Sequence, residues 1–451
     1  MRDILVTLVV LGAIPFIFQH PHYGIYMWSW LSYMNPHRLA WGFAVNIPFA
    51  LITALVTMLA YLFSKEPKRF PLTRETSLLF ILLAWMTFTT FMSLYPQLAW
   101  FQWEKVWKIQ VMTLLTAMLI TDRKRLDGLI WVIVLSLAFY GVKGGIFTII
   151  HGGIYRVQGP AGSFIEGNNE LGLALIMTVP LIRYLHLQAR QQWLRLGLAT
   201  GMVLTGLAAI GSQSRGALLA AAAMGTFLWL KSRNKIVTAI YIGATVGLVL
   251  SIMPQAWWDR MNTIETYEKD QSAQGRINAW YTAWGLAKDR VTGGGFDAFQ
   301  TPTFRAYAPN PENVRDVHSI YFQMMGEHGF IGFGIWALIG LLAWRTGSKV
   351  IKSCKKDPNR KWAADLAAMT QVSMVGYATG GAFLGLAYFD YYYHLVIILV
   401  LAHQIAVKNA WGTLEQLSGA PSSGLPGATQ RAPRKLGTWL RRGAKPSQMD
   451  G

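Results

Sequence analysis

The chain has 451 residues, of which 53% are hydrophobic and only 14% charged, with a mean hydropathy of +0.30; soluble proteins carry about 25% charged residues, which argues against a purely soluble globular fold. Its 41 Lys and Arg against 22 Asp and Glu give a net charge of +19, and in a membrane protein the position of such charges carries more meaning than their sum. One cysteine, Cys354, excludes an intramolecular disulfide framework and any cysteine-based zinc or iron–sulfur centre.

A membrane-crossing helix needs roughly 20 mostly apolar residues. In chain order, such runs lie at 4–18, 41–63, 77–93, 106–120, 126–148, 171–187, 196–210, 216–230, 236–253, 330–344, 366–389 and 391–407. The fold class expected is an all-α polytopic integral membrane protein with about 12 transmembrane helices. Residues 1–253 carry helices 1 to 9, 254–329 form one long outer loop, and 330–407 carry helices 10 to 12. Residues 408–451, rich in Ser, Gly, Pro and basic side chains, read as a disordered cytoplasmic tail. No A-x-A-like cleavage site follows the first run, which therefore reads as a retained helix. No internal repeat is evident.

Short cytoplasmic loops collect Lys and Arg. With the N-terminus inside, 28 of the 41 basic residues fall on the cytoplasmic side and 13 outside, 7 of those 13 in the long loop. Both termini are then predicted to be cytoplasmic. Within the long loop, Ser272 or Asp270 can cap a helix running to Lys288, in which Ile277, Trp280, Tyr281, Trp284 and Ala287 recur at helical spacing. That apolar stripe suits either the membrane surface or the bundle, and Gly293-Gly294-Gly295 ends the helix.

The apolar runs hold almost no ionisable residue at mid-depth, where ion-coupled transporters usually carry them. Charges gather instead at the predicted outer ends: Lys108, Lys143, Glu170, Arg215 and Asp390, with Arg276 and His318 in the loop. This points to chemistry at the outer face, on a substrate that is itself part lipid. Arg215, in Gln213-Ser214-Arg215-Gly216 between two spans, has the geometry to hold a phosphate bidentately, or to snorkel to lipid headgroups. Arg276 opens the loop helix, where free backbone N–H groups favour an anion; alone it reads equally as a solvated charge. His318, in Asp316-Val317-His318-Ser319, suits proton transfer from an acceptor hydroxyl near neutral pH, although a lone histidine is commonly structural. His20, His22 and His37 make no convincing metal site. No Asp-x-Asp occurs, Glu265 and Glu268 read as surface charge rather than a glycosidase pair, and Gly293 to Gly295 lack the Lys-Ser/Thr of a P-loop.

The bundle, Ser-Arg-Gly between spans seven and eight, a loop helix opening with Gly275-Arg276 and Trp280, then Gly-Gly-Gly-Phe and a histidine before span ten together resemble the O-antigen ligase superfamily. The resemblance covers residues 4–407. Within it, Tyr33-Met34-Asn35-Pro36-His37-Arg38, Gly141-Val142-Lys143-Gly144-Gly145 and Gly162-Ser163-Phe164-Ile165-Glu166-Gly167-Asn168-Asn169-Glu170 look like the O-glycosylation ligases associated with exosortase A. Many ligases carry Asn after the histidine; here Ser319 stands there.

The resemblance implies a multi-pass enzyme of the Gram-negative inner membrane that moves a glycan from undecaprenyl diphosphate to a lipid (lipid A core) or protein acceptor at the periplasmic face, without metal, cofactor or nucleic acid. By position it implies that Arg215 and Arg276 hold the diphosphate and that His318 activates the acceptor hydroxyl for inverting attack. Lys143 and Arg156 follow as further diphosphate or glycan contacts, and Glu166, Asn168 and Asn169 as partners of sugar hydroxyls. A polymerase using a second lipid-linked glycan as acceptor, a transporter of such lipids, and a non-catalytic scaffold of envelope-polymer assembly are the alternatives.

Overall fold

The computed structural model describes residues 1–232 and 271–408, with isolated positions between 234 and 258. Among the described residues the regular structure is helical throughout. In chain order the helices are α1 (Arg2–Gln19), α2 (His22–Met34), α3 (Phe49–Phe63), α4 (Arg74–Phe91), α5 (Pro96–Leu119), α6 (Arg123–Ile150), α7 (Asn168–Gln188), α8 (Gln192–Gly211) and α9 (Arg215–Lys231). Then come α10 (Gln271–Asp289), α11 (Thr301–Tyr307), α12 (Ile320–Cys354), α13 (Lys361–Gly380) and α14 (Asp390–Ala406). Five of them, α1, α6, α7, α8 and α12, are long and apolar enough to cross a membrane. Helices stand at eleven of the twelve expected runs; the ninth, 236–253, and the tail beyond Lys408 lie outside the described residues, the former but for isolated positions.

The starts are set locally. Thr73 closes a capping box with Thr76 before α4, Asp122 accepts from the Arg125 N–H before α6, and Ser214 accepts from the Ala217 N–H before α9. The run expected at 41–63 becomes helical only at Phe49, because Gly42 and Pro48 interrupt it with turns.

One element escaped the hydropathy reading. Helix α2, only 13 residues long, is held at two points along its length. At one end the Tyr26 hydroxyl donates to the Arg125 carbonyl (2.7 Å), and Arg125 pairs with Glu66 (2.7 Å). At the other, Ser32 hydrogen-bonds Asp390, the first residue of α14. Helix α1 returns antiparallel: Arg2 donates to the Leu39 carbonyl, and the Asp3 carboxylate accepts from the Gly42 and Ala44 N–H groups. Met1 therefore lies at the Asp390 end. Ala406, the last residue of α14, lies at the opposite one, where Arg360 donates to its carbonyl and Arg123 reaches Gln188 and covers the Trp362 ring. Helix α2 is too short for a hydropathy window, and its contacts alone place it in the bundle.

Packing between helices relies on small residues, as expected where helices meet without help from water. A Cβ on Gly141 would strike the Thr205 side chain, and one on Gly145 would stand 2.3 Å from the Leu204 carbonyl oxygen. The Gly-Val-Lys-Gly-Gly string is in this way the seat of α8 on α6.

Helix α12 breaks at Gly329 (φ 69°, ψ −178°), where a Cβ would lie 2.0 Å from the Val291 carbonyl. The Gly293-Gly294-Gly295 segment fills the break: Gly294 and Gly295 donate to the Gly326 and Glu327 carbonyls at 2.9 and 2.8 Å, and Leu94 donates to the Gly294 carbonyl. What reads as a loop bend is a hook that satisfies the interrupted backbone.

The stripe of α10 divides between two faces. Its buried side is Asn278, Ala279, Thr282, Ala283, Leu286 and Ala287, while Tyr281 and Trp284 of the stripe are exposed. Gly326 of α12 admits only a small partner, which Ala283 supplies, so the aromatic edge turns outward, Trp284 meeting Phe330 edge-on.

Candidate functional site

Neighbours of three residues singled out by sequence pack around one short turn, Gly381–Phe383, at the Asp390 end of the bundle. Arg215 occupies the first position of α9, whose next residue, Gly216, sits 3.5 Å (from its would-be Cβ) from the Gly380 carbonyl and 4.0 Å from Phe383. Trp280 of α10, one turn after Arg276, packs at 6.2 Å from the Phe383 ring. Ile320, two residues after His318, fills the space above Gly381. The helix starts of α9 and α12 and the middle of α10 thereby meet at a common rim.

The Arg215 side is built from a strained turn. Gln213 adopts a left-handed backbone (φ 55°), and its side-chain amide donates to the Gly153 and Ile154 carbonyls at 3.0 and 3.1 Å. Asn168 donates to the Ser212 carbonyl (2.8 Å), bracing the turn from α7. Arg156 reaches it from the 151–167 loop, its Nε donating to Gln213 Oε1 at 3.4 Å. Arg156 thus stands beside the helix start that bears Arg215, and the dipole of a helix start favours an anion.

The Arg276 and His318 sides are latched together. Asn278 donates to the Asn310 and Asn313 carbonyls (2.8 and 3.0 Å) and accepts from the Asn310 N–H (2.9 Å). Trp280 donates to the Val317 carbonyl (2.9 Å) and stacks on Phe322. Arg276, half-buried, lies one residue beyond Gly275, whose Cβ position is occupied by Arg315. His318 is partly exposed, holds a left-handed backbone (φ 39°) and brings Nδ1 to 3.4 Å from Asp316 Oδ2.

The remaining residues are distributed more widely. Glu166 is turned into its own loop, accepting from the Gly162 N–H (2.8 Å), and the Arg38 guanidinium covers Gly162. Asn169 is half-buried in the first turn of α7. Lys143 is exposed on the face of α6 away from α8, in line with Val132, Leu135, Ser136 and Phe139, which wall an apolar groove shared with α1 and α2. It is not brought to the Arg215 turn.

Sequence reasoning missed a buried polar cluster one helical level below His318. His328 places Nδ1 2.7 Å from the Thr89 hydroxyl and Nε2 2.8 Å from the Tyr388 hydroxyl, Tyr388 donates to Glu327, and Glu327 accepts from the Asp297 N–H at 3.1 Å. Asp297 itself is held above the usual carboxylate range by burial, opposed by Lys105 and reinforced by Asp316. The signal available was Gly326-Glu327-His328-Gly329, a charged pair between glycines, which a span starting at Phe330 leaves in the loop. No cluster of three or more His, Cys, Asp or Glu able to hold a metal ion occurs among the described residues.

Two family models match the chain. Residues 200–337, which include Arg215, Arg276 and His318, match the O-Antigen ligase family, and residues 1–190, which include Lys143, Arg156, Glu166, Asn168 and Asn169, match a family of unknown function (DUF5935). The former supports the O-antigen ligase superfamily over the stretch that builds the site. No curated protein matches the chain.

Proposed function

We propose that the protein is a glycosyl-transferring enzyme of the bacterial inner membrane that passes a glycan from undecaprenyl diphosphate to an acceptor hydroxyl at the periplasmic face. The observation that carries this reading is the shared rim: a helix start bearing Arg215, with Arg156 beside it, meets the segment that carries Arg276 and His318 around residues 381–383. The family match over residues 200–337 adds the reaction class.

The chemistry follows from charge. A diphosphate departing from the anomeric carbon gathers negative charge, so fixed guanidiniums at Arg215 and Arg276 stabilise the transition state more than the ground state. His318 takes the acceptor proton as the hydroxyl oxygen attacks the opposite face of the sugar, which inverts the centre. Arg156 joins the diphosphate set and Asn169 serves the sugar hydroxyls, while Asn168 braces the turn and Glu166 shapes its own loop. Lys143, beyond the apolar row of α6, is suited to a lipid headgroup.

The end of the bundle that carries Lys65, Lys68, Arg69, Arg123, Lys124, Arg125, Arg183 and the basic residues from Arg345 to Lys361 is taken as cytoplasmic by the positive-inside rule. The chain leaves α9 at that end and enters α10 at the other, so the membrane arrangement proposed keeps the span at 236–253 and adds α2 to the twelve. The exosortase-associated subgroup remains part of this reading through the Tyr33–Arg38 and Gly162–Glu170 strings.

The test is transfer by the purified full-length protein, with EDTA present, from an undecaprenyl-diphosphate glycan carrying a labelled sugar to lipid A core and to candidate proteins. Labelled acceptor from wild type, reduced at least ~100-fold in Arg215→Ala and in His318→Ala, supports the ligase. Lengthening of the donor with no labelled acceptor assigns a polymerase instead. A donor left untouched by folded protein rejects both.

A further inference from the structure

We propose that Asp316 is the positioning residue for His318, fixing which imidazole nitrogen faces the acceptor; the inference rests on the reading of His318 as the base. Three observations meet at this side chain. Its Oδ2 stands 3.4 Å from His318 Nδ1. Its Oδ1 accepts from the Val317 N–H at 2.7 Å, which stops the carboxylate from turning away. On its far side Oδ2 lies 3.2 Å from the point a Cβ would occupy on Gly385, so the turn after α13 backs the carboxylate towards the ring.

The backbone contributes as well. A histidine at φ 39° is in the left-handed region, sparsely occupied by any residue other than glycine, and such a conformation persists only where its surroundings impose it. Here it sits between Val317, whose carbonyl is held by Trp280, and Ile320, which is packed on Gly381. The conformation folds the ring back over the residue two positions earlier. Without it, the extended chain would send residues 316 and 318 along parallel directions about 7 Å apart.

The consequence is a defined tautomer. The Asp316 carboxylate, 3.4 Å from Nδ1, favours the proton on that nitrogen, leaving the Nε2 lone pair as the acceptor of a proton. In the transfer step the acceptor oxygen bonds to the anomeric carbon while the bond from that carbon to the diphosphate oxygen breaks. The electron pair leaves with the diphosphate, and the hydroxyl proton moves to Nε2. The imidazolium so formed faces the Asp316 carboxylate, and the net charge of the dyad falls from −1 to zero as the step proceeds. Asp316 touches neither donor nor acceptor in this arrangement. It acts through the ring.

The experiment uses full-length protein in nanodiscs, the labelled undecaprenyl-diphosphate glycan, and Asp316→Asn, Asp316→Glu, Asp316→Ala, Gly385→Ala and His318→Ala. Expected for Asp316→Asn is a kcat lower by about 10- to 100-fold with KM for the donor within about twofold, and for Asp316→Glu a partial return. Gly385→Ala, which presses on the same carboxylate from behind without removing it, is expected to lower kcat by a smaller factor at unchanged KM, and it supplies the answer if Asp316→Asn fails to fold. Wild-type kcat in Asp316→Asn and Gly385→Ala alongside an inactive His318→Ala overturns the positioning role and leaves the base in place. A rise in KM that accounts for the loss, or Asp316→Glu no better than Asp316→Ala, overturns it too. An active His318→Ala removes the base reading itself, a result distinct from the others.

Discussion

At the scale of single residues, backbone strain marks the site. The non-glycine residues with positive φ among the described ones are Asn35, Gln213, Asp297 and His318, and the last three stand beside Arg215, under the α12 break and at the α12 start. Such conformations cost of order 1–3 kcal/mol each and collect where function holds them. Asp297 carries a second strain, because burial raises its carboxyl while Lys105 only partly compensates. A carboxylate whose pKa is raised on folding weakens the folded state above that pKa, and the penalty fades as the pH falls and the proton binds. Asn tolerates the same left-handed backbone. Asp297→Asn is therefore expected to melt at or above the wild-type temperature near pH 7, with the difference shrinking towards about pH 4. Thermal unfolding in detergent at both pH values checks this; a variant that melts well below wild type at pH 7 would show that the carboxylate is held by a partner it needs.

At the scale of elements, helix-to-helix approach is decided by what a Cβ would meet. Gly145 of α6 has the Leu204 carbonyl oxygen 2.3 Å from that position, so Gly145→Ala must part α6 from α8. Overpacking of this kind costs about 1–3 kcal/mol. Gly201, on α8 itself, has nothing within 4 Å. Gly201→Ala removes only the conformational freedom of the unfolded chain and is expected to be neutral or slightly stabilising. Melting temperatures of the two variants should move in opposite directions, and equal losses would mean that helix seating does not govern stability here. The same accounting explains α10: its apolar stripe was legible, but the residue facing Gly326 had to be small, so Ala283 faces inward and Tyr281 and Trp284 do not.

At the scale of the whole molecule, the position of Met1 follows from α2. Because α1 and α2 form an antiparallel pair with the Arg2 end beside Leu39 and Gly42, the first residue shares the end that carries His318, and residues 355–360 share the other. With the basic end cytoplasmic, an impermeant thiol reagent applied to spheroplasts is expected to label Arg2→Cys directly and Asn359→Cys only after the membrane is opened. The buried Cys354 of the parent gives the background. Protection of both positions would restore a bundle that starts and finishes inside.

The sequence by itself determined the all-helical membrane character, the helices at eleven of the expected runs, and Arg215, Arg276 and His318 as the residues to watch, because hydrophobic length and motif strings are local properties. Three things waited for the tertiary structure. Helix α2 is too short and too polar for a hydropathy window, and only its contacts with Arg125 and Asp390 reveal where it packs. The surroundings of Asp316 and of the Glu327, His328 and Tyr388 cluster depend on residues brought from α4, α12 and the turns after α10 and α13, a proximity that spacing along the chain does not encode. Lys143 and Arg156, alike as basic residues beside the same loop, are separated by the helix face each occupies, and that face is fixed by how closely Gly141 and Gly145 let α8 approach.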